Sequence, residues 1–517
     1  MTARLAAGFQ LKGAHLLIGL LALALIVRLI GLGVRPFWLD EGYSLYAIER
    51  TWHDLWTIVP TYETHPPFYY SLLKGWSSLV GTSAIAVRGF SVLLSVATIP
   101  LVIAAVRELE AQDPTGRPTL HAAVSGFLAS CSPMLIYLDQ QARPYALMVL
   151  AYSVATLGLL RLFREFRSGG PGSLLSWSLL CGGTELTLWS HSLGLLYAFC
   201  LAAALAPAWL EHPLHSGRIK RGMIAAAAVL LLYLPCLLII ASQVGDWGTS
   251  WLKWEPFKLL ELIAFYSIPV EALNVVTAVA ALIMLLLIKR AVQRAAFQPS
   301  WTSGRALVLL WWGPTLLAVL ISATYVPVFL PRTLAATLAP AYLAIGGAAA
   351  RIDSRRERLL LTAALAITLL PAAVLTAIQP ASEKWDQIGA YLERNVAPAD
   401  EVWLYPNDSV LPLRQLAPKP SFRIREIPDV FPAVAFKGIN RSGSPSTPSL
   451  TPRQAQQLAD SSAAQRVGTV WLVTRQSDVF DPHDDLPHAL IRTRRAGKVR
   501  HWGYIVVQPF RLNNAAN

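Results

Sequence analysis

Arg35-Pro36-Phe37-Trp38-Leu39-Asp40-Glu41-Gly42-Tyr43-Ser44, with Thr64-His65-Pro66-Pro67-Phe68-Tyr69-Tyr70 a short way on, is the stretch on which the reading of this chain turns. The sequence on either side of it is apolar enough to lie in a bilayer. A segment carrying Asp40, Glu41, Glu63 and His65 must then stand in water beside the membrane, because ionised groups are costly in hydrocarbon.

Working outward, the chain has 517 residues, 54% of them hydrophobic and 15% charged. The charges fall in short clusters between apolar runs of about 18–22 residues, the length an α-helix needs to cross roughly 30 Å of hydrocarbon. The first run, Ala14–Val34, is longer than a signal-peptide core and lacks a small-residue cleavage site, so it reads as an uncleaved helix with a cytoplasmic N-terminus. Further spans are expected near 83–106, 121–138, 145–163, 174–190, 192–210, 223–243, 269–288, 306–326, 333–350 and 359–379. That makes about eleven helices and leaves the Asp40 segment and the C-terminus outside.

Charge asymmetry points the same way. Arg107 and Arg117, Arg161 with Arg164 and Arg167, Arg218 with Lys220 and Arg221, Lys289 with Arg290, Arg294 and Arg305, and Arg351 with Arg355, Arg356 and Arg358 all fall on the predicted cytoplasmic side. The net charge of +13 therefore reads as a topology signal, and nucleic acid is excluded as a partner. Cys131, Cys181, Cys200 and Cys236 lie inside apolar spans, where none can staple an exported loop.

Two further regions stand outside the predicted bilayer. Val244–Ile268 carries Trp247, Trp251, Lys253 and Trp254 in an amphipathic pattern that suits the outer interface. From Ser382 the composition changes. Ser382 is placed to cap a helix with Trp385, Ile388, Tyr391 and Leu392 at helical spacing, and Pro398 ends it. Strands are predicted over Glu401–Tyr405, Val467–Thr474 and Trp502–Val507, with a helix beginning near Pro452. Pro406–Pro452, rich in Pro and Ser, is left without assigned structure. The domains expected are thus 1–380, a transmembrane domain with its first outer loop at 35–82, and 381–517, a small extracytoplasmic α/β domain.

Asp40 and Glu41 are adjacent, so their side chains diverge and one of them points at any given site. Lying between Trp38 and Tyr43 at the mouth of the first helix, a carboxylate held partly out of water can act as a general base. His65 is presented rigidly by the two prolines after it, which bar helix through the site. Arg143 lies in the tight turn Asp139–Tyr145, either as a snorkelling interfacial cation or aimed at an anionic head group. His191 at the junction of two spans and Arg332 at a helix start offer the same choice, and Arg332 adds to the positive end of a helix dipole. One outer surface is thus expected to gather a carboxylate pair with four cations. There is no phosphate-cradling Gly-rich loop, no metal-spaced His/Cys/Asp cluster and no Gly-x-Ser-x-Gly elbow. A phosphorylated lipid handled at the outer face fits these residues better than a nucleotide or an ester.

Taken together, Leu39-Asp40-Glu41-Gly42-Tyr43-Ser44 after the first helix, His65-Pro66-Pro67-Phe68-Tyr69-Tyr70, Ala142-Arg143-Pro144-Tyr145 and a late Pro331-Arg332 resemble the bacterial family-39-type glycosyltransferases of the GT-C superfamily. These are relatives of the protein O-mannosyltransferases and the lipid A aminoarabinose transferases. The resemblance covers nearly the whole chain and implies an α-helical polytopic GT-C fold. It places the catalytic base at Asp40 with Glu41 as its neighbour, and His65 where the aminoarabinose transferases have a Lys near the donor phosphate. Relatives usually carry Glu where Gln141 stands here, with Asp139 two residues earlier as the alternative second acid.

The resemblance further implies a polyprenyl-phosphate sugar as donor, used without a nucleotide. The acceptor would be lipid A, another envelope glycan, a lipid or a protein, so that lipopolysaccharide modification and protein glycosylation are both open. With a monophosphate donor, Arg143, His65, His191 and Arg332 can supply the charge that a metal supplies for diphosphates, so neither metal nor cofactor is expected. The expected location is the bacterial cytoplasmic membrane. A transporter or flippase of lipid-linked sugars is the chief alternative. It would place ionisable groups and broken helices near the bilayer midplane, often in paired repeats, and no repeat is visible. A non-catalytic scaffold would leave the acidic pair and the His-Pro-Pro segment without a use.

Overall fold

The structure is a computed structural model that describes residues 2–210, 216–247, 251–261, 275–295, 303–416, 418 and 420–513. The chain divides into two compact units. One comprises Met1–Leu32, Leu79–Leu238 and Trp254–Gln379; the other, Gly33–Ser78, Ile239–Lys253 and Pro380–Asn517. One division between the units falls between Gln379 and Pro380, and Gly33–Ser78 is separate from the membrane helices. It groups with the C-terminal domain, because long-range hydrogen bonds, described below, fold it into that domain.

The membrane unit is built from α1 (Thr2–Leu29), α5 (Ala84–Gln112), α6 (Pro118–Cys131), α7 (Pro133–Asp139), α8 (Tyr145–Arg167), α9 (Leu174–Ser190), α10 (Gly194–Leu210), most of α11 (Ser216–Trp247), α12 (Val275–Ala295), α13 (Ser303–Thr324), α14 (Leu338–Ala350) and α15 (Arg355–Ile378). Among the described residues six helices are long and apolar enough to cross a membrane, or seven if the bent pair α6–α7 counts as one span. Shorter apolar helices occupy Gly13–Leu29, Gly194–Pro207 and Val275–Lys289. The chain is an integral membrane protein, and each of the eleven expected spans coincides with one of these helices or with α9, which has 17 residues. The start of the span expected at 269–288 lies outside the described residues.

The span expected at 121–138 is broken. Pro133 has no N–H to continue the ladder, Ser132 caps the new helix through Leu135 N, and the two halves meet at 49°. The carbonyls at the end of α6 then need donors. Arg28 of α1, wholly buried, gives hydrogen bonds to Ser130 O (2.8 Å) and Ala129 O (3.1 Å).

Helix packing follows small residues. A Cβ on Gly158 would run into the backbone of Leu180, and one on Gly183 into that of Ala155, so the α8–α9 hairpin closes backbone to backbone. One end of this unit is rich in paired charge: Arg161 and Arg164 on Glu108, Arg351 on Asp113, His121 on Glu110, and Arg117 on the Ala350 carbonyl.

The second unit carries α2 (Leu39–Glu49), α3 (Trp52–Thr57), α4 (Pro67–Val80, its last two residues in the membrane unit), α16 (Trp385–Asn395), α17 (Val410–Leu416) and α18 (Pro452–Asp460) around a six-stranded sheet. The strands are β1 (Glu401–Tyr405), β2 (Arg423–Glu426), β3 (Thr469–Arg475), β4 (Arg494–Ala496), β5 (Arg500–Trp502) and β6 (Ile505–Leu512), in the order β2-β1-β3-β6-β4 with β5 also on β6. β1 runs parallel to β2 and β3, and β6 antiparallel to β3. Trp403, Val470, Leu472 and Phe510 form the core of one sheet face with Ala455 and Ala459 of α18, which opens with a capping box at Thr451 and Gln454.

Four local expectations are corrected here. Residues 39–80 are largely helical where a loop was expected. Ser382 does not cap α16; the N-cap is Lys384, without a side-chain cap, and Glu383 is turned into the interior instead. The strand expected at Trp502–Val507 is two strands turning through Gly503, at φ +65°. Pro406–Pro452 contains α17 and β2, and its Phe431 packs edge-on against Tyr43, Tyr46 and Tyr62 with ring centroids 5.0–5.5 Å apart. In the expected interfacial segment, Trp254 packs on Phe329, and residues 248–250 and 262–268 lie outside the described residues.

Candidate active site

Asp40 and Glu41 sit in the first turn of α2, where the exposed N–H groups of a helix favour negative charge. Consecutive helical residues point about 100° apart, and the two acids separate accordingly. Glu41 is wholly buried and Asp40 half-buried. Gly42 lets α2 lie close on α17: a Cβ there would come within 2.8 Å of Leu411 Cβ. The far end of α2 is closed by Lys74 Nζ, which donates to Ile48 O and Arg50 O, each at 2.7 Å.

The start of α2 is held from far away in sequence. Trp38 at the N-cap supplies no side-chain acceptor; Glu383 does, taking the Leu39 N–H at 2.8 Å on Oε2. Trp385 Nε1 donates to the same oxygen at 2.7 Å, and Tyr504 OH donates to Oε1 at 2.7 Å. One turn on, Tyr43 OH donates to Asp408 Oδ2 at 3.2 Å, and the Asp408 carboxylate accepts Arg475 Nη2 at 3.1 and 3.2 Å. Burial first, and then the Asp408 charge, holds the Tyr43 phenol well above its ordinary range, so it stays a donor. Tyr504 is raised likewise, by burial and by Glu383, with a further contribution from Asp40. Arg475 is favoured as a cation: burial opposes its charge, but Asp408 and Glu383 outweigh that.

His65 is buried, and its backbone N–H donates to Glu63 Oε1 at 3.3 Å, immediately before Pro67 opens α4. Glu63, 5% exposed, is a further buried acid of the 33–78 segment that the motif-based reading passed over as a site residue. Its signal was its place two residues ahead of His65. Gln243 Nε2 donates to the backbone oxygens of Glu63 (2.9 Å) and Pro60 (2.7 Å), fixing this turn.

The other expected cations belong to the membrane unit and gather at the end opposite its charge-paired one. Arg143 is 4% exposed, which does not match a snorkelling side chain. Its turn is tied down by Gln140 Nε2 donating to Arg28 O and Ile30 O and by Ser91 Oγ donating to Gln141 O. His191 ends α9, its Nδ1 accepting Leu193 N–H at 3.1 Å, and its ring lies 6.2 Å from that of Tyr145, two residues after Arg143. Arg332, half-buried, stands in the 3-10 turn Pro331–Thr337, which packs on α8 and is held by Tyr197 OH donating to Thr333 O at 2.7 Å.

Asp139 has a different occupation. It is 1% exposed and ion-paired to Arg28 Nε at 2.8 Å, with Ser95 Oγ as a second donor. It anchors α7 to α1 and α5, and the geometry lends a second catalytic acid at this position no support. Among the described residues no group of three His, Cys, Asp or Glu is placed to hold a metal ion.

The class of protein follows from the fold: a polytopic helical membrane protein with an appended sheet domain. No family model matches the sequence, and no curated protein matches it. Among solved structures, ArnT from Cupriavidus metallidurans in the apo state superposes with a TM-score of 0.58 at 12% identity, covering 95% of this chain and 97% of that one. ArnT bound to undecaprenyl phosphate also gives 0.58 at 12%, covering 97% and 98%. The arabinofuranosyltransferase AftD from Mycobacteria gives 0.48 at 14%, covering 97% of this chain and 40% of that one. The chain has the ArnT fold over nearly its full length.

Proposed function

We propose that this protein is a membrane glycosyltransferase that transfers a sugar from a polyprenyl-phosphate donor to a hydroxyl-bearing acceptor. The observation that carries the reading is the acidic first turn of α2, with Asp40 half-buried beside buried Glu41, in a chain that takes the ArnT fold end to end. ArnT has been crystallised with undecaprenyl phosphate, which supports a lipid-linked donor here.

In this reaction Asp40 takes the proton of the acceptor hydroxyl as its oxygen attacks the anomeric carbon. The bond from that carbon to the phosphate oxygen breaks, and polyprenyl phosphate leaves with the electron pair. Arg143, His191, Arg332 and His65 stabilise the phosphate as its charge grows, and Glu41 orients the helix that carries the base. Cationic side chains suffice for a monophosphate leaving group, so no metal or cofactor is assigned. The charge-paired end of the membrane unit would face the cytoplasm of a bacterial inner membrane, and the charge asymmetry of the sequence assigns the Asp40 segment and the C-terminal domain to the outer side. The acceptor is a lipid A, another glycan, a lipid or a protein.

The test is turnover of a defined polyprenyl-phosphate sugar by purified protein, read as release of polyprenyl phosphate with glycosylated product. Translocation of the donor across vesicles without a new glycosidic bond would establish the flippase instead. Neither event would leave only a scaffold.

A further inference from the structure

We infer that Glu383 of the C-terminal domain is the positioning residue for the acidic pair, setting the first turn of α2 and with it Asp40. The inference deepens the glycosyltransferase reading and rests on it for the role of Asp40.

A helix of eleven residues leaves its first N–H groups without intrahelical partners, and these are normally met by a Ser, Thr, Asp or Asn at the N-cap. Here Trp38 holds that place and contributes no side-chain acceptor. The acceptor comes from 344 residues along the chain, as a carboxylate 2% exposed to solvent. A buried carboxylate is costly unless its lone pairs are used, and Glu383 uses them on three donors at 2.7–2.8 Å: Leu39 N–H, Trp385 Nε1 and Tyr504 OH. Two of these, Trp385 and Tyr504, come from opposite ends of the C-terminal domain, so the oxygen that meets Leu39 is placed by the domain as a whole. Tyr43 OH on Asp408, itself fixed by Arg475, fastens the same helix a turn later. Asp40 lies between these two fastenings, next to the residue whose N–H Glu383 takes.

The arrangement makes the C-terminal domain part of the catalytic apparatus without giving it a residue that touches the reacting atoms. A shift of an ångström or so in a positioned base can cost about a hundredfold in rate, which sets the size of the effect.

Two measurements on the full-length protein test this. In hydrogen exchange, Glu383→Ala should raise the exchange of the amides of Leu39–Gly42 by about tenfold or more while those of β1 and β3 stay protected. In the transfer assay it should lower kcat by about 10- to 100-fold with the KM for the donor unchanged. Glu383→Gln should restore both: its carbonyl can accept from Leu39 and Trp385, and its amide can donate to the Tyr504 oxygen. A loss in Glu383→Gln as large as in Glu383→Ala, or unchanged exchange and unchanged kcat in Glu383→Ala, overturns the inference. If Glu383→Ala does not fold, Glu383→Asp serves. It keeps the charge but withdraws the carboxylate by one methylene, and faster exchange at Leu39–Gly42 is again required. A wild-type protein without transfer activity would sink the functional reading while the exchange measurement still decides the role of Glu383.

Discussion

The two units bury charge in opposite ways. In the membrane unit the candidate residues are cations, Arg143, His191 and Arg332, each in a turn at a helix end, and the buried acid Asp139 is neutralised by Arg28. In the second unit the candidates are mostly acids, Asp40, Glu41 and Glu63, and a buried cation, Arg475, is neutralised by Asp408. Cations of the first kind suit a phosphate, and carboxylates of the second suit the proton of a hydroxyl. The difference teaches that, on the proposed function, the base and three of the four cations assigned to the donor phosphate fall in separate structural units, so loss of donor binding and loss of proton removal should separate in experiment.

The sharpest way to break that division is Asp40→Asn. Loss of a positioned base should cost about 10²–10⁴ in turnover while donor binding stays near normal, with Glu41→Gln markedly milder, both in one purified transfer assay. Donor binding that falls as far as turnover would end the division of labour. A larger loss in Glu41→Gln would move the base to the buried carboxylate.

Next in size is Asp139→Ala, which leaves Arg28 buried without its counter-ion. Destabilisation of about 3–5 kcal/mol is expected, read as a fall in the unfolding transition in detergent. If the variant were stable but unable to transfer, Asp139 would return as a second acid.

Arg143→Ala should weaken donor use about tenfold or more without unfolding the protein, since a charge-assisted contact to phosphate is worth about 1.5–3 kcal/mol. An unchanged apparent affinity for polyprenyl phosphate would return Arg143 to packing. The smallest effect is the control: Thr451→Ala, which removes the capping box of α18, a helix that carries no candidate residue, should cost about 1 kcal/mol of stability and leave turnover intact.

A yes-or-no test concerns orientation. A reporter fused after Asn517 should be active only outside the cytoplasm, and a cytoplasmic signal would remove the ground for placing Asp40 there.

Much of this protein was legible one segment at a time. Apolar length located the membrane helices, charge clusters marked one end of them, and local pattern found Glu401–Tyr405 and the helix at Pro452 to the residue. The motif residues were legible as candidates because Asp40, His65 and Arg143 are ionisable groups in segments too short or too polar to be buried in lipid. What local pattern could not supply was partnership. That Arg28 in the middle of an apolar run pairs with Asp139, that residues 33–78 belong with 380–517, and that Glu383 caps a helix 344 residues away depend on which groups the folded chain brings within hydrogen-bonding distance. A buried charge must find its partner wherever the fold puts one, and the strength of that contact does not depend on sequence separation. The sequence by itself determined where helices must cross and which side chains could do chemistry. Only the tertiary structure decided that Asp139 is an anchor, that Glu41 is the buried acid and Asp40 the half-open one, and that the C-terminal domain holds the helix on which both stand.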